Sequence, residues 1–263
     1  MRSDRLGSRR LVLVVAAFVL SGAVGALLSS RSVSSPAPDG GPLAAPPAAF
    51  SMPREERLPN AASITHWAPV LRATLARRGP SSDSAPVGWI GTRTEDGTTN
   101  IVVADAEAED HGMIWVRVPL AALPNGRDGW IPRGSLGGWS FVNTHLVIDR
   151  VRLTATLLRG QRMIFRAPIA VGAPGTPTPA GQFYVLDRLS GFTSPLYGPL
   201  AFGTNARSPT LTDWPGGGVV GIHGTDRPGL VPGQVSHGCI RLTNAAIVRL
   251  GALMPIGTPV TIK

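Results

Sequence analysis

The residues best able to do chemistry lie near the C-terminus. The run SHGCIRL, residues 236–242, holds the single cysteine of the 263-residue chain, Cys239, with His237 two positions before it and a second histidine, His223, upstream. A thiol with a pKa of about 8.5 is only a few per cent thiolate at neutral pH, so a nucleophilic role needs an imidazole about 2.6–3.2 Å away to take its proton. Attack on an amide carbonyl also creates an oxyanion. Backbone N–H groups of Gly238 and Cys239 are candidate donors to it, each worth about 3–4 kcal/mol. A lone cysteine has blander fates, as a small buried hydrophobe or an intermolecular bridge. Two histidines and a cysteine could also hold zinc, but no C-x-x-C or H-E-x-x-H spacing accompanies them, so neither metal nor cofactor is expected.

A thiol–imidazole pair works only if the fold brings its members together. In GGGVVGIHGTDRPGLVPGQVSHGCIRL, His223 ends an apolar strand, and a Pro/Gly-rich loop returns the chain to His237 and Cys239. Gly224 and Gly238 allow close backbone approach or positive φ. HLVID and RLTATLLRGQRMIFRAPIAVG read as hairpin strands with a turn at Arg159–Arg162. Pro177, Pro179 and Gly181 precede a further strand, an entry best placed at an edge or bend. One short helix is expected after the cysteine, over residues 243–250, with Thr243 or Asn244 as N-cap and Gly251 near its end. The fold class is mainly β.

Residues 62–140 form a separate domain in this reading. The runs VGWIGTR, TNIVVAD, MIWVRVPL and GWIPRGSL alternate with turn clusters such as EDGTTN and PNGRDG, the spacing of a small barrel or sandwich. Trp67, Trp89, Trp115 and Trp130 are read as core in the main, with a ligand groove as the alternative. His66 and His111 read as surface or hydrogen-bonded core residues.

Residues 1–28 pair a basic n-region (Arg2, Arg5, Arg9, Arg10) with the apolar run LVLVVAAFVLSGAVGALL, a signal peptide or signal anchor. Ser21-Gly22-Ala23 is a cleavage candidate, and Arg9-Arg10 has the look of a twin-arginine signal. Export to the cell wall, the periplasm or the outer face of the cytoplasmic membrane follows. Residues 29–61 are a Pro/Ala/Ser-rich spacer on which no fold is imposed. The formal charge of +9 comes from scattered arginines, with Lys263 the lone lysine, and does not describe a nucleic-acid interface. Oligomeric state is not encoded in any pattern of the sequence.

Taken together, HLVID, TPTPAGQF, IHGT and SHGCIRL resemble the catalytic domain of the L,D-transpeptidases, bacterial enzymes that remodel peptidoglycan, over residues 144–263. Papain-like hydrolases place the cysteine before the histidine, the reverse of the order here. WVRVPLAALPNGRDGWIPRGSL, residues 115–136, resembles the end of a bacterial SH3-like domain. The resemblance implies a β-sandwich catalytic domain beside a small SH3-like β-barrel. It makes Cys239 the nucleophile, His223 the general base and Gly224 the residue whose carbonyl orients His223. Ser236, His237 and Gly238 would shape the thiol pocket and supply oxyanion donors, with Ser236 also meeting substrate. Arg241 would contact a substrate carboxylate or tie the loop down. The implied substrates are peptidoglycan stem peptides, acyl donor and amine acceptor. The implied product is a 3→3 cross-link with release of D-Ala, and carbapenem sensitivity goes with it. L,D-carboxypeptidase action, attachment of proteins to the wall and non-catalytic wall binding are the alternatives.

Overall fold

The computed structural model describes residues 54–58, 64–210 and 218–263. The expected export segment and most of the expected spacer lie outside them. Within that spacer stretch, however, Glu56–Arg57 is a strand, paired antiparallel with Ala106–Asp110. Glu55 reinforces the pairing through an ion pair to Arg117 at 2.6 Å.

Residues 64–142 build two antiparallel sheets. In the larger, Met113–Pro119 is flanked by Ala106–Asp110 and Asp128–Pro132, and the sheet continues through Thr74–Arg77 to Pro86–Ile90. In the smaller, Thr65–Pro69 lies between Ile101–Ala104 and Ser140–Val142. Alternating residues of these strands, Ala68, Val102, Val116, Val118 and Ile131 among them, form the core, with Val70 just beyond Thr65–Pro69. Trp115 and Trp130 are buried against Ala106 and Ala108, while Trp89 is 66% exposed. His111 is exposed beside Asp110. His66 differs from expectation: it meets the ring edges of Phe141 and Trp139, and its Nδ1 is buried with no hydrogen-bond partner.

Residues 144–263 fold around one ten-stranded sheet. Its central strands are Pro259–Ile262, Gly181–Ser190, Leu200–Arg207, Val219–His223 and Ile240–Arg241, in that order. The hairpin Thr154–Arg159 to Arg162–Pro168 forms as expected, with Gly160 at φ +58 in its turn. Gly181–Ser190 is interior, not an edge strand, because Pro177 and Pro179 stay in the preceding loop and remove no ladder donor. The core is a continuous aliphatic cluster that includes Leu146, Ile148, Leu157, Val185, Phe202 and Ile222. Asn244–Gly251 is the one α-helix among the described residues; Thr243 caps it by accepting from the Ala246 N–H at 3.3 Å, and Ile247 and Leu250 bury its inner face.

The two regions meet along a polar seam. Asn125 Nδ2 donates to the Arg207 carbonyl at 2.7 Å and Asn125 Oδ1 accepts from the Arg207 N–H at 2.9 Å. The Arg207 guanidinium grips Glu95 at 2.8 and 2.9 Å. Apolar contact is supplied by Trp67 and Ile101 against Tyr184, Leu186 and Ile256.

Candidate active site

Strand periodicity assembles the site. Val219–His223 and Ile240–Arg241 run parallel with Ile222 opposite Ile240 and His223 opposite Arg241. Because side chains alternate, both isoleucines point into the core and are fully buried, while Gly221, His223, Cys239 and Arg241 share the other side. The register therefore sets Cys239 next to Gly221, whose N–H lies 3.4 Å from the sulfur. A Cβ added at Gly221 would stand 3.8 Å from Cys239 Sγ and 3.9 Å from His223 Cδ2, so the missing side chain leaves room between thiol and imidazole.

His223 is buried, and Nδ1 donates to the Gly224 carbonyl at 2.6 Å. That bond fixes the tautomer in which Nε2 carries the lone pair, the form a proton acceptor must have. Burial pulls the imidazole down to about 4, helped by the Arg241 charge and opposed by the Gly224 bond. Burial pushes the Cys239 thiol up, against the pull of the Gly221 N–H and Arg241. Both shifts favour the uncharged forms, thiol and imidazole.

Gly224 is needed for its size as well as its carbonyl. An added Cβ would fall 2.4 Å from Asn244 Oδ1, the atom that accepts the Thr225 N–H at 2.9 Å and so pins the turn after His223 to the start of the helix.

The cysteine loop is held from inside. Ser236 is buried; its hydroxyl donates to the Cys239 carbonyl at 2.5 Å and accepts the Gly238 N–H at 3.1 Å. Ser236 therefore spends its hydroxyl on the loop in this arrangement, and the Gly238 N–H has an acceptor there. Gly238 takes φ +117, a backbone region open to glycine. Thr178, from TPTPAGQF, accepts the Gly172 N–H at 2.9 Å and donates to the Gly238 carbonyl at 2.8 Å, and Thr176 donates to the Ser236 carbonyl at 3.0 Å. That segment buttresses the SHGC turn.

His223, His237, Gly238, Cys239 and Arg241 all line one cavity of about 280 Å³. Ser236 and Gly224 support it from outside the lining. Arg241 lies between roles: its Nε is buried with no hydrogen-bond partner, which leaves a donor unspent beside the thiol. Tyr197 was not anticipated. It lines the cavity, its ring 5.1 Å from that of His223 in an edge-on contact, and nothing in the pattern SPLYGP marks it as more than a turn residue. Gly221 could have been found, since it stands two residues before His223 in the same strand and so on the same face. Among the described residues, no three of His, Cys, Asp and Glu are grouped to hold a metal ion.

Comparison with known proteins gives the family. Residues 143–262 match the model of the YkuD family, the L,D-transpeptidase catalytic domain. YkuD of Bacillus subtilis (strain 168) is 31% identical over 167 residues, 63% of this chain and 93% of that protein. YkuD of Bacillus licheniformis is 34% identical over 109 residues, 41% of this chain and 59% of that protein. Among solved structures, a cysteine-to-serine variant of the Enterococcus faecium L,D-transpeptidase is 26% identical, with a TM-score of 0.37 over 46% of this chain and 49% of its own; the assignment rests on the sequence matches. With nearly the whole length of the Bacillus subtilis protein spanned, this chain belongs to the L,D-transpeptidase (YkuD) family.

Proposed function

We propose that the protein is a peptidoglycan L,D-transpeptidase that forms 3→3 cross-links through a thioester on Cys239. His223 Nε2 takes the thiol proton as sulfur attacks the carbonyl of the third residue of a tetrapeptide stem. The C–S bond forms, the C–N bond to D-Ala breaks, and the proton held by His223 passes to the departing amine. The Cys239 N–H stabilises the oxyanion, and Arg241 receives a donor carboxylate with its unspent Nε–H. His237 closes the outer wall of the pocket. The amine of a second stem then takes the acyl group.

The observation that supports this reading most directly is the shared strand face. Register brings a thiol and a tautomer-fixed neutral imidazole to one cavity, with glycine between them. The role proposed for residues 62–140, of the SH3-like kind, is to hold the catalytic region against the wall, and the chain is proposed to work outside the cytoplasm.

The test is mass spectrometry of the purified protein with a disaccharide-tetrapeptide carrying diaminopimelate, beside the Cys239→Ala and His223→Ala variants. A 3→3 dimer formed with loss of D-Ala, and absent from both variants, is expected. Tripeptide alone would replace transpeptidase by L,D-carboxypeptidase. No product and no carbapenem adduct would leave a wall-binding scaffold.

A further inference from the structure

Two cavities meet at the thiol, and their walls carry opposite charge. The first, of about 280 Å³, passes Arg227, His237 and Arg241. The second, of about 190 Å³, shares Cys239, His223 and Tyr197 with it but has Asp96 in its wall and no arginine or lysine. Asp96 comes from the other half of the chain, in the turn after strand Pro86–Ile90.

That turn is held in place from both sides. Glu95 is clamped by the Arg207 guanidinium. Thr98 donates to Asp187 at 3.1 Å, and Asp187 also accepts the Gly203 N–H at 2.9 Å. Two of the three neighbouring carboxylates are therefore committed. Asp96 makes no hydrogen bond or ion pair among the described residues, yet partial burial and the charges of Asp187 and Glu95 push its carboxyl up, with Arg207 opposing them. A cation placed beside it would relieve that repulsion.

The geometry points to a divided site in which the Asp96 cavity receives the amine acceptor and Asp96 binds its ammonium, while the arginine-lined cavity holds the carboxylate-bearing acyl donor. This rests on the transpeptidase reading and adds which side each substrate takes. An acceptor stem presents an ammonium group, and the second cavity joins a free carboxylate to the sulfur that carries the acyl group. In the transfer, the ammonium gives up one proton to solvent and its nitrogen attacks the thioester carbonyl. A C–N bond forms, the C–S bond breaks, and a second proton passes from nitrogen through His223 to the Cys239 sulfur. Ammonium and thioester become amide, thiol and one released proton.

Asp96→Asn and Asp96→Glu in the full chain test this. Acylation by a carbapenem should keep the wild-type rate in both. With disaccharide-tetrapeptide, the ratio of 3→3 dimer to hydrolysed tripeptide should fall about three- to fivefold in Asp96→Asn, the size of a partly exposed ion pair, as the apparent KM for acceptor rises. Asp96→Glu should recover part of the ratio. An unchanged ratio in Asp96→Asn overturns the divided site and leaves the transpeptidase standing. A parallel fall in acylation and dimer formation also overturns it, because Asp96 would then serve the donor or the fold. Absence of dimer in the wild type removes the transpeptidase reading and this inference with it.

Discussion

At the scale of single residues, the site is governed by what burial does to two titratable groups. His223 titrates at about 4 in the fold against 6.5 for a solvated imidazole. Between those values the unfolded chain binds the extra proton, so His223 contributes stability that is complete above the unfolded value and is lost as pH falls through that window. The same shift keeps Nε2 able to accept a proton well below neutrality. Carbapenem acylation followed against pH should therefore hold its rate from pH 7 down to about pH 5 and fall only near the depressed value. An acid limb centred on the ordinary imidazole pKa would mean a solvated His223 and would contradict the buried geometry. Cys239, pushed up by burial, stays protonated through neutrality, so alkylation by iodoacetamide should be slow without substrate.

Elements matter through the groups they present to one another. The SHGC turn has little regular structure of its own and owes its shape to Thr178, which bridges the Gly172 N–H and the Gly238 carbonyl from a buried position. Thr178→Val preserves volume and removes both bonds. It should lower unfolding stability by about 1–3 kcal/mol, the cost of leaving buried backbone groups without partners, and should slow acylation, because the turn that carries Cys239 loses its support. Urea denaturation and carbapenem acylation together check this; unchanged values in both would mean the bridge is dispensable.

For the molecule as a whole, the seam at Arg207 decides whether the two halves act as one. Arg207 lies at the end of strand Leu200–Arg207, which pairs with the strand that carries His223. Its backbone is held by Asn125 and its guanidinium by Glu95, so the catalytic sheet and the Asp96 turn share a support. Asn125→Ala strips two partners from the Arg207 backbone and should cost about 1–3 kcal/mol. It should also increase proteolysis within residues 120–145 relative to the wild type. Equal stability and an unchanged digestion pattern would show that the halves are held elsewhere. Trp67 is the apolar counterpart: it leaves no space for a Cβ at Gly257, where φ is +79.

Some of this was legible in the chain itself. Alternating hydrophobic residues marked HLVID, TATLLR and RMIFRAP as strands, Thr243 or Asn244 marked the helix start, and the residue types around Cys239 named a thiol and its imidazole. These are local signals, and backbone period and capping chemistry are local causes. Strand Leu200–Arg207 gave no such signal, because it is buried on both faces and its Gly203, Thr204 and Asn205 bond to partners distant in sequence. Ala106–Asp110 was hidden for the opposite reason, since its charged residues alternate with alanines too small to read as a core face. The hydrogen bonds of the Ser236 hydroxyl to the Cys239 carbonyl and the Gly238 N–H could not be read from the sequence, because they form only when the loop closes. Tyr197 and Asp96 line cavities with the thiol from segments far along the chain, the latter from the turn after strand Pro86–Ile90. By itself the sequence determined which groups are able to react; tertiary structure alone decided which of them meet, because register and burial arise from pairings between residues that have no local signature.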